Sequence, residues 1–143
     1  MLQYKCNLET EEWCIRYRNQ IEKLIEWKNN KNKKPLIIRG ARQVGKTWLM
    51  KEFGEKYYKN FAYINFDRNT RMEQLFSGDM NIERIIQGLK LESGVNINSS
   101  DTLIIFDEVQ EVPNALTSLK YFYENAPEYN IISAGSLLRN CNA

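Results

Sequence analysis

Residues 36–47 read Leu-Ile-Ile-Arg-Gly-Ala-Arg-Gln-Val-Gly-Lys-Thr, an apolar run that leads directly into a glycine-rich turn. From Gly40 onward the stretch fits the pattern G-x-x-x-x-G-K-[ST], which places a buried strand before a phosphate-binding loop and a helix after it. The N–H groups of such a loop and the N-terminus of its helix form a cradle for a polyphosphate anion. Gly40 and Gly45 let the backbone curl around phosphate where a Cβ would clash. The stretch therefore predicts a site for a nucleoside triphosphate.

The same pattern assigns roles to individual residues. Lys46 is predicted to place an ammonium group between the β- and γ-phosphates, and the Thr47 hydroxyl to take one coordination position on Mg²⁺. The residues predicted to contact the nucleotide are Gly40, Ala41, Arg42, Gln43, Val44, Gly45, Lys46, Thr47 and Trp48. The Asn-Lys-x-Asp motif of GTPases does not occur in the chain. We therefore expect ATP, together with Mg²⁺, as the cofactor.

A second motif lies at residues 103–108, which read Leu-Ile-Ile-Phe-Asp-Glu. Four apolar residues followed by two acids are typical of nucleotide hydrolases, because this strand lies mid-sheet and Mg²⁺ binds at its carboxyl end. Asp107 is predicted to be the magnesium-side carboxylate, acting through a coordinated water, and Glu108 to be the general base for the attacking water. An apolar run that ends in acids is also an ordinary strand leaving the core, so the prediction depends on the conjunction of the two motifs.

Composition limits the classes of partner and of chemistry that remain for this chain. The 143 residues suffice for one domain with a proper core, and a net charge of +2 is too small to indicate a nucleic-acid partner. The chain has no histidine, so its chemistry must use carboxylates, lysine, arginine, hydroxyls and a bound metal. Cys6, Cys14 and Cys141 show no metal-ligand spacing, and we expect them to be inert in a reduced, cytoplasmic setting. No apolar run approaches the roughly 18 residues of a membrane span.

Periodicity predicts strands that alternate with helices. Apolar runs predict strands at 36–39, 61–66, 103–106 and 131–134, and helical spacing predicts helices at 11–29, 46–58, 82–91 and from 113 onward. Trp48, Leu49 and Phe53 are expected to face the core from the second helix. Such alternation implies parallel βαβ units, and therefore an α/β fold with a mainly parallel sheet.

Several polar residues near the two motifs have two interpretations. Ser136 either senses the γ-phosphate or holds the attacking water, or it merely caps a turn. Gln110 either contacts that water or is ordinary loop polarity, the interpretation we favour. Arg68 and Arg71 are either arginine fingers or, as surface arginines usually are, solvent-exposed. The lysine-rich connection at 28–34 could touch a nucleic acid or an acidic partner, although a solvated loop is the simpler interpretation.

With these residues assembled, the chain resembles a prokaryotic family of AAA-type ATPases, in which an N-terminal ATPase domain precedes a C-terminal domain of unknown function. The stretches that carry the resemblance are 34–47, 51–54, 64–66, 103–110 and 134–138. The resemblance implies a P-loop NTPase three-layer sandwich of the ASCE and AAA type. It also implies that Lys46 and Thr47 bind phosphate and Mg²⁺. Asp107 and Glu108 would be the metal and water carboxylates, and Ser136 would occupy the sensor position.

The resemblance further implies an organisation of the chain. Residues 1–30 would form an amphipathic helix packed on the core, and residues 31–143 an ATPase core truncated after the sensor strand. In the family's strand order the last strand lies beside the phosphate-loop strand. Because the core is expected to be truncated after the sensor strand, we expect that last strand to be missing. The phosphate-loop strand would then lie on an exposed sheet edge. Missing arginines would leave transition-state charge poorly neutralised, so nucleotide binding is expected to exceed turnover.

The predicted function is Mg²⁺-dependent hydrolysis of ATP, with Glu108, Lys46 and Ser136 as catalytic residues. The alternative is a nucleotide-dependent binding switch with little hydrolysis. A nucleic-acid-stimulated motor and phosphoryl transfer to a small molecule are weaker options, because the charge balance is nearly neutral and paired acids suit water activation better. Partners beyond ATP are expected to be an unidentified protein and, as an option, a second copy of the chain; no membrane partner is predicted.

Overall fold

The computed structural model describes residues 3–6, 12–40 and 45–135. Its strands and helices are β1 (Gln3–Cys6), α1 (Glu12–Asn29), β2 (Leu36–Gly40), α2 (Lys46–Tyr57), β3 (Asn60–Asn65), α3 (Thr70–Ser77), α4 (Ile82–Ser93), β4 (Thr102–Asp107), α5 (Pro113–Asn125) and β5 (Asn130–Gly135). A short 3₁₀ turn at Val109–Glu111 follows β4.

The strands form one sheet in the order β1-β2-β5-β4-β3, and each neighbouring pair is parallel. Every residue of β4 and of β5 is buried. Strands that are buried on both faces carry continuous apolar sequence, which explains why residues 103–106 show no alternation. The predicted α/β fold with a parallel sheet is confirmed.

Two apolar clusters lie on opposite faces of this sheet. On one face, Ile37, Ile104 and Ile131 belong to a cluster that includes residues of α3, α4 and α5. On the other face, Ile38 and Ile105 belong to a cluster that includes residues of α1 and α2. Because successive strand residues point to opposite faces, each central strand supplies both clusters. The result is a three-layer arrangement with helices on either side of the sheet.

The position of β1 corrects one expectation from the sequence. We expected β2, the strand that precedes the phosphate-binding loop, to lie on the sheet edge. Instead β1 pairs with it along four residues, from Gln3↔Ile37 to Cys6↔Gly40. The backbone of β2 is therefore paired on both sides, by β1 and by β5. The edge strands among the described residues are β1 and β3.

Two further details differ from the predicted elements. The stretch between β3 and α4 contains an unpredicted helix, α3, which begins where the Asn69 side chain accepts a hydrogen bond from Met72 N. An asparagine in this cap position satisfies a backbone N–H that has no partner within the helix. Trp48 was predicted to face the core together with Leu49 and Phe53, but 46% of its surface is exposed, whereas both of those neighbours are buried.

Candidate functional site

Lys46 lies where the carboxyl ends of two neighbouring strands meet. Gly45 has a left-handed backbone (φ 83°), a conformation that glycine adopts without strain, and α2 begins at the next residue. The Lys46 side chain is buried, and its Nζ donates to the carbonyl of Gly40 at 2.7 Å and to that of Gly135 at 2.9 Å. Gly40 ends β2 and Gly135 ends β5. The ammonium group is therefore fixed at this edge of the sheet by two backbone acceptors.

The two motifs recognised in the sequence meet directly beside this lysine. Thr47, in the first turn of α2, donates from Oγ1 to Asp107 Oδ2 at 2.5 Å. Asp107 is the last residue of β4 and is 3% exposed. Parallel strands end at the same edge of the sheet, so a loop after β2 and an acid after β4 can share one site. The structure thus brings together Lys46, Thr47 and Asp107, as the sequence predicted.

Tyr63 is a member of this constellation that the sequence analysis missed. It lies in β3, and its hydroxyl donates to Asp107 Oδ2 at 2.6 Å. Burial raises the pKa of Tyr63 well above its usual range, and the hydrogen bond to Asp107 acts in the same direction. The phenol therefore stays protonated and remains a donor. The signal that could have found it is a tyrosine inside an apolar strand, because a tyrosine hydroxyl that is partly buried usually has a hydrogen-bond partner.

Glu108 leaves the strand with an unusual backbone. Its φ of 54° lies in the left-handed region, which costs a non-glycine residue energy and occurs often at functional sites. The Glu108 N–H donates to Asp107 Oδ1 at 3.0 Å. Gln110 Nε2 donates to the Glu108 carboxylate at 2.7 Å. Gln110 is therefore engaged with the predicted general base, which is more than the loop polarity that we had favoured.

Among known protein families, a family model described as an AAA domain matches residues 32–142 of this chain. The chain belongs to the AAA domain family. Membership confirms the predicted AAA-type assignment and indicates a nucleotide-binding domain. A search of the curated proteins and a search of the solved structures each returned no match.

The donor atoms of this AAA domain fit a magnesium ion that is shared with phosphate. Thr47 Oγ1 and Asp107 Oδ2 are hard oxygen donors 2.5 Å apart. Mg²⁺ is ordinarily bound by one or two carboxylates, substrate phosphates and several waters, and not by an all-protein cage. The described residues contain no group of three or more His, Cys, Asp or Glu able to hold a metal.

Other predicted site residues have different outcomes. Ala41, Arg42, Gln43, Val44 and Ser136 lie outside the described residues. Trp48 follows Thr47 in α2 and is 46% exposed.

The two candidate arginine fingers lie beyond the carboxyl end of β3. Arg71 forms a two-pronged ion pair with Glu92, with N–O distances of 2.8 and 3.0 Å. The pairing with Arg71 is the main cause that lowers the pKa of Glu92. Arg68 is exposed and has a left-handed φ of 52°. In this arrangement Arg71 is committed to a contact inside the chain.

The lysine-rich connection of the AAA domain lies at the amino end of β2, whereas Lys46 lies beyond its carboxyl end. Residue 34 precedes β2, and its carbonyl accepts from the Trp27 indole N–H at 2.6 Å. Lys28 Nζ lies 5.0 Å from the centre of the Tyr58 ring, and Lys34 Nζ lies 5.2 Å from that of Tyr123. Stacking on aromatic rings and solvation are the ordinary states of surface lysines, so these contacts favour the solvated-loop interpretation.

Across the part of the chain that the structure describes, no helix has both the length and the apolarity to cross a bilayer.

Proposed function

We propose that this AAA domain binds ATP with Mg²⁺ and hydrolyses its γ-phosphate. The observation that carries the proposal is the hydrogen bond of 2.5 Å between Thr47 and Asp107, which joins the glycine-rich loop to the acidic strand end. Each motif has an ordinary explanation when it occurs alone. Their contact at the carboxyl edge of a parallel sheet has a functional explanation, because this edge is where such sheets bind ligands.

The Lys46 ammonium group would bind the phosphate oxygens. In this structure it is held by two carbonyl acceptors, one at the end of β2 and one at the end of β5. An ammonium in a buried position interacts more strongly with an anion than one in bulk water, because the surrounding dielectric constant is lower.

Thr47 and Asp107 would hold the metal. Mg²⁺, when bound, would neutralise charge that develops on the phosphate oxygens. The buried position of Asp107 and its hydrogen bonds keep the carboxylate at the strand end, where it can orient coordinated water. This assignment retains the roles that the sequence predicted for both residues.

Glu108 would act as the general base. Its carboxylate would accept a proton from water while the water oxygen forms a bond to the γ-phosphorus atom and the bond to the β-phosphate oxygen breaks. The products are ADP and inorganic phosphate, and the accepted proton then passes to solvent. A positioned base of this kind contributes roughly 10²–10⁴-fold to a rate. Ser136, outside the described residues, is retained as a proposed contact to the γ-phosphate or the attacking water.

A nucleotide-dependent binding switch is the second candidate, and one contact favours it. The Gln110 amide donates to Glu108 at 2.7 Å, so one carboxylate oxygen is already engaged. A base that is held in this way is less available to water. Under this alternative, ATP would order a surface for a protein partner, or for a second copy of the chain, and turnover would be negligible until such a partner supplied a further charge-neutralising group such as an arginine.

The two candidates are separated by nucleotide binding and turnover in three variants. Lys46→Ala should weaken ATP affinity by about 10–100-fold, because it removes charge-assisted hydrogen bonds of roughly 1.5–3 kcal/mol. Lys56→Ala is the matched control, since Lys56 is an exposed lysine of the same helix. Glu108→Gln should keep ATP affinity and lower turnover by about 10²-fold or more.

The outcomes are distinct. Unchanged affinity in Lys46→Ala would show that the site is assigned wrongly. Normal affinity, combined with turnover in the unsubstituted chain as low as in Glu108→Gln, would identify the switch.

A further inference from the structure

Tyr63 reaches the metal-side carboxylate from the neighbouring strand. The backbone register of β3 and β4 pairs Tyr63 with Ile105, and Asp107 lies two residues further along β4 on the same face. Diagonal neighbours of this kind lie within reach of a long aromatic side chain. The reach is realised here, because Tyr63 Oη lies 2.6 Å from Asp107 Oδ2.

The Asp107 carboxylate is held by three neutral donors. Thr47 Oγ1 and Tyr63 Oη donate to one of its oxygens, and the Glu108 N–H donates to the other at 3.0 Å. None of the ion pairs in the described part of the chain involves Asp107. These donors orient the carboxylate and, because they are neutral, add no positive charge of their own.

The Tyr63 ring is itself fixed from the side of α2. Lys51 Nζ lies 4.0 Å from the ring centre, within the range of a cation–π contact. Lys51 follows Thr47 by one helical turn, so α2 supplies both a donor to Asp107 and a cation over the tyrosine ring. Held between α2 and β4, the phenol has little freedom to turn its hydroxyl away from Asp107.

We propose that Tyr63 is a positioning residue for the cation site. Its hydroxyl holds Asp107 Oδ2 beside Thr47, so that the oxygen pair exists before Mg²⁺ arrives. This inference rests on the proposed function, because it assumes that Thr47 and Asp107 bind the metal. Without the hydroxyl the carboxylate would keep two donors and gain rotational freedom, and part of the metal's binding energy would be spent on orienting it.

The test compares two tyrosine variants that lose the same atom at opposite ends of the sheet. Tyr63→Phe removes the donor to Asp107. Tyr58→Phe is the matched control, because Tyr58 Oη donates at 3.0 Å to Oδ1 of Asn130, the first residue of β5. Binding of a fluorescent ATP analogue is measured in EDTA, and MgCl₂ is then titrated at fixed nucleotide.

In Tyr63→Phe, affinity in EDTA should stay within about twofold of the unsubstituted chain. The Mg²⁺ midpoint should rise by about 10–100-fold, the range typical of lost outer-shell contacts to metal ligands. In Tyr58→Phe both quantities should be unchanged. A role for Tyr63 in packing alone would instead lower the unfolding midpoint of Tyr63→Phe and leave its Mg²⁺ midpoint in place, which would overturn the inference.

The failure of the inference is distinguishable from the failure of the proposed function. An unsubstituted chain whose nucleotide binding shows no Mg²⁺ dependence would refute the metal assignment itself. A Mg²⁺-dependent chain with an unshifted Tyr63→Phe midpoint would refute only the role of Tyr63. If Tyr63→Phe does not fold, Lys51→Met keeps the hydroxyl but releases the ring. It should raise the Mg²⁺ midpoint by several-fold, and an unchanged midpoint would overturn the inference.

Discussion

Replacement of Gly54 by alanine tests how closely the helix that carries Lys46 and Thr47 must lie against the sheet. Gly54 is buried in the middle of α2. A Cβ at this position would lie 2.8 Å from Cβ of Phe61, 3.0 Å from its Cγ and 3.1 Å from its Cδ2, whereas ordinary contacts begin at 3.4 Å. Phe61 lies in β3, where its backbone pairs with Leu103. Because one clashing atom is attached directly to the strand backbone, a rotamer change cannot relieve the contact.

The magnitude follows from two opposing effects. Alanine in a helix interior gains about 1 kcal/mol over glycine. Overpacking of a closely packed contact costs about 1–3 kcal/mol. We therefore expect Gly54→Ala to lose up to about 2 kcal/mol of unfolding free energy, through a shift of α2 away from β3 by roughly half an ångström. The same shift would separate Thr47 from Asp107, so the Mg²⁺ midpoint for nucleotide binding should rise as well.

Gly88→Ala is the matched control, since it places the same methyl group in the interior of another helix. There the three atoms nearest to the methyl group would all be side-chain carbons of Leu75. Leu75 is only half-buried and can change rotamer at a cost of about 0.5–1.5 kcal/mol. That cost nearly cancels the gain of about 1 kcal/mol in helix propensity. Gly88→Ala should therefore have a stability close to that of the unsubstituted chain.

Urea unfolding followed by circular dichroism gives the free energy of unfolding of both variants. The midpoints are compared with one shared value for the slope of free energy against urea concentration. The Gly54→Ala midpoint should lie clearly below that of Gly88→Ala. A Gly54→Ala chain as stable as Gly88→Ala would refute the reasoning, because it would mean that α2 can be displaced at no cost. Reduced stability with an unchanged Mg²⁺ midpoint would refute the link between this contact and the site.

Two further predictions concern groups away from the site. Ser133 Oγ is buried and finds no hydrogen-bond partner among the described residues. Ser133→Ala should therefore leave the thermal unfolding midpoint unchanged or raise the free energy of unfolding by up to about 1 kcal/mol. A clear loss of stability would show that the hydroxyl has a partner. Burial and the nearby charge of Lys28 lower the pKa of Lys33 below its ordinary value of 10.5. The protonated side chain therefore destabilises the folded state at every pH below the lowered pKa. This destabilisation disappears as pH rises towards 10.5. Lys33→Gln should therefore be more stable than the unsubstituted chain at pH 7, and the difference should shrink as pH rises towards 10.5. A stability difference that is independent of pH would contradict this explanation.

The centre of the candidate site could be predicted because its parts are encoded locally. The glycine-rich loop needs Gly45 at a left-handed position and a lysine directly after it, and both requirements are visible within eight residues. The acidic strand end is equally local, since Asp107 follows four apolar residues. The contact between them required one additional inference, that parallel strands expose their carboxyl ends at one edge. The structure agrees with that inference at the level of individual atoms.

Residues that join the site across strands could not be predicted in the same way. Tyr63 contacts a residue 44 positions away, and the contact depends on the register between β3 and β4, which periodicity does not supply. Gln110 could be placed near the acids, but its engagement with Glu108 depends on the left-handed turn at that residue. Such a φ has no reliable signal in a glutamate, because glutamate seldom adopts it.

The first strand shows why a sheet edge is the hardest feature to predict. Four residues at Gln3–Cys6 carry no apolar run, and a strand this short gains little from its own propensity. Its pairing with β2 becomes favourable because α1 connects the two strands. Leu24 and Trp27 of α1 are buried in the same apolar cluster as Leu36 and Ile38 of β2. Once α1 is docked, the chain before it is already held near the open edge, and the loop-closure entropy of the pairing is small. An edge strand recruited in this way is a consequence of tertiary packing. We therefore infer that substitutions which loosen α1, such as Trp27→Ala, would weaken the β1–β2 pairing before they disturb the Thr47–Asp107 contact.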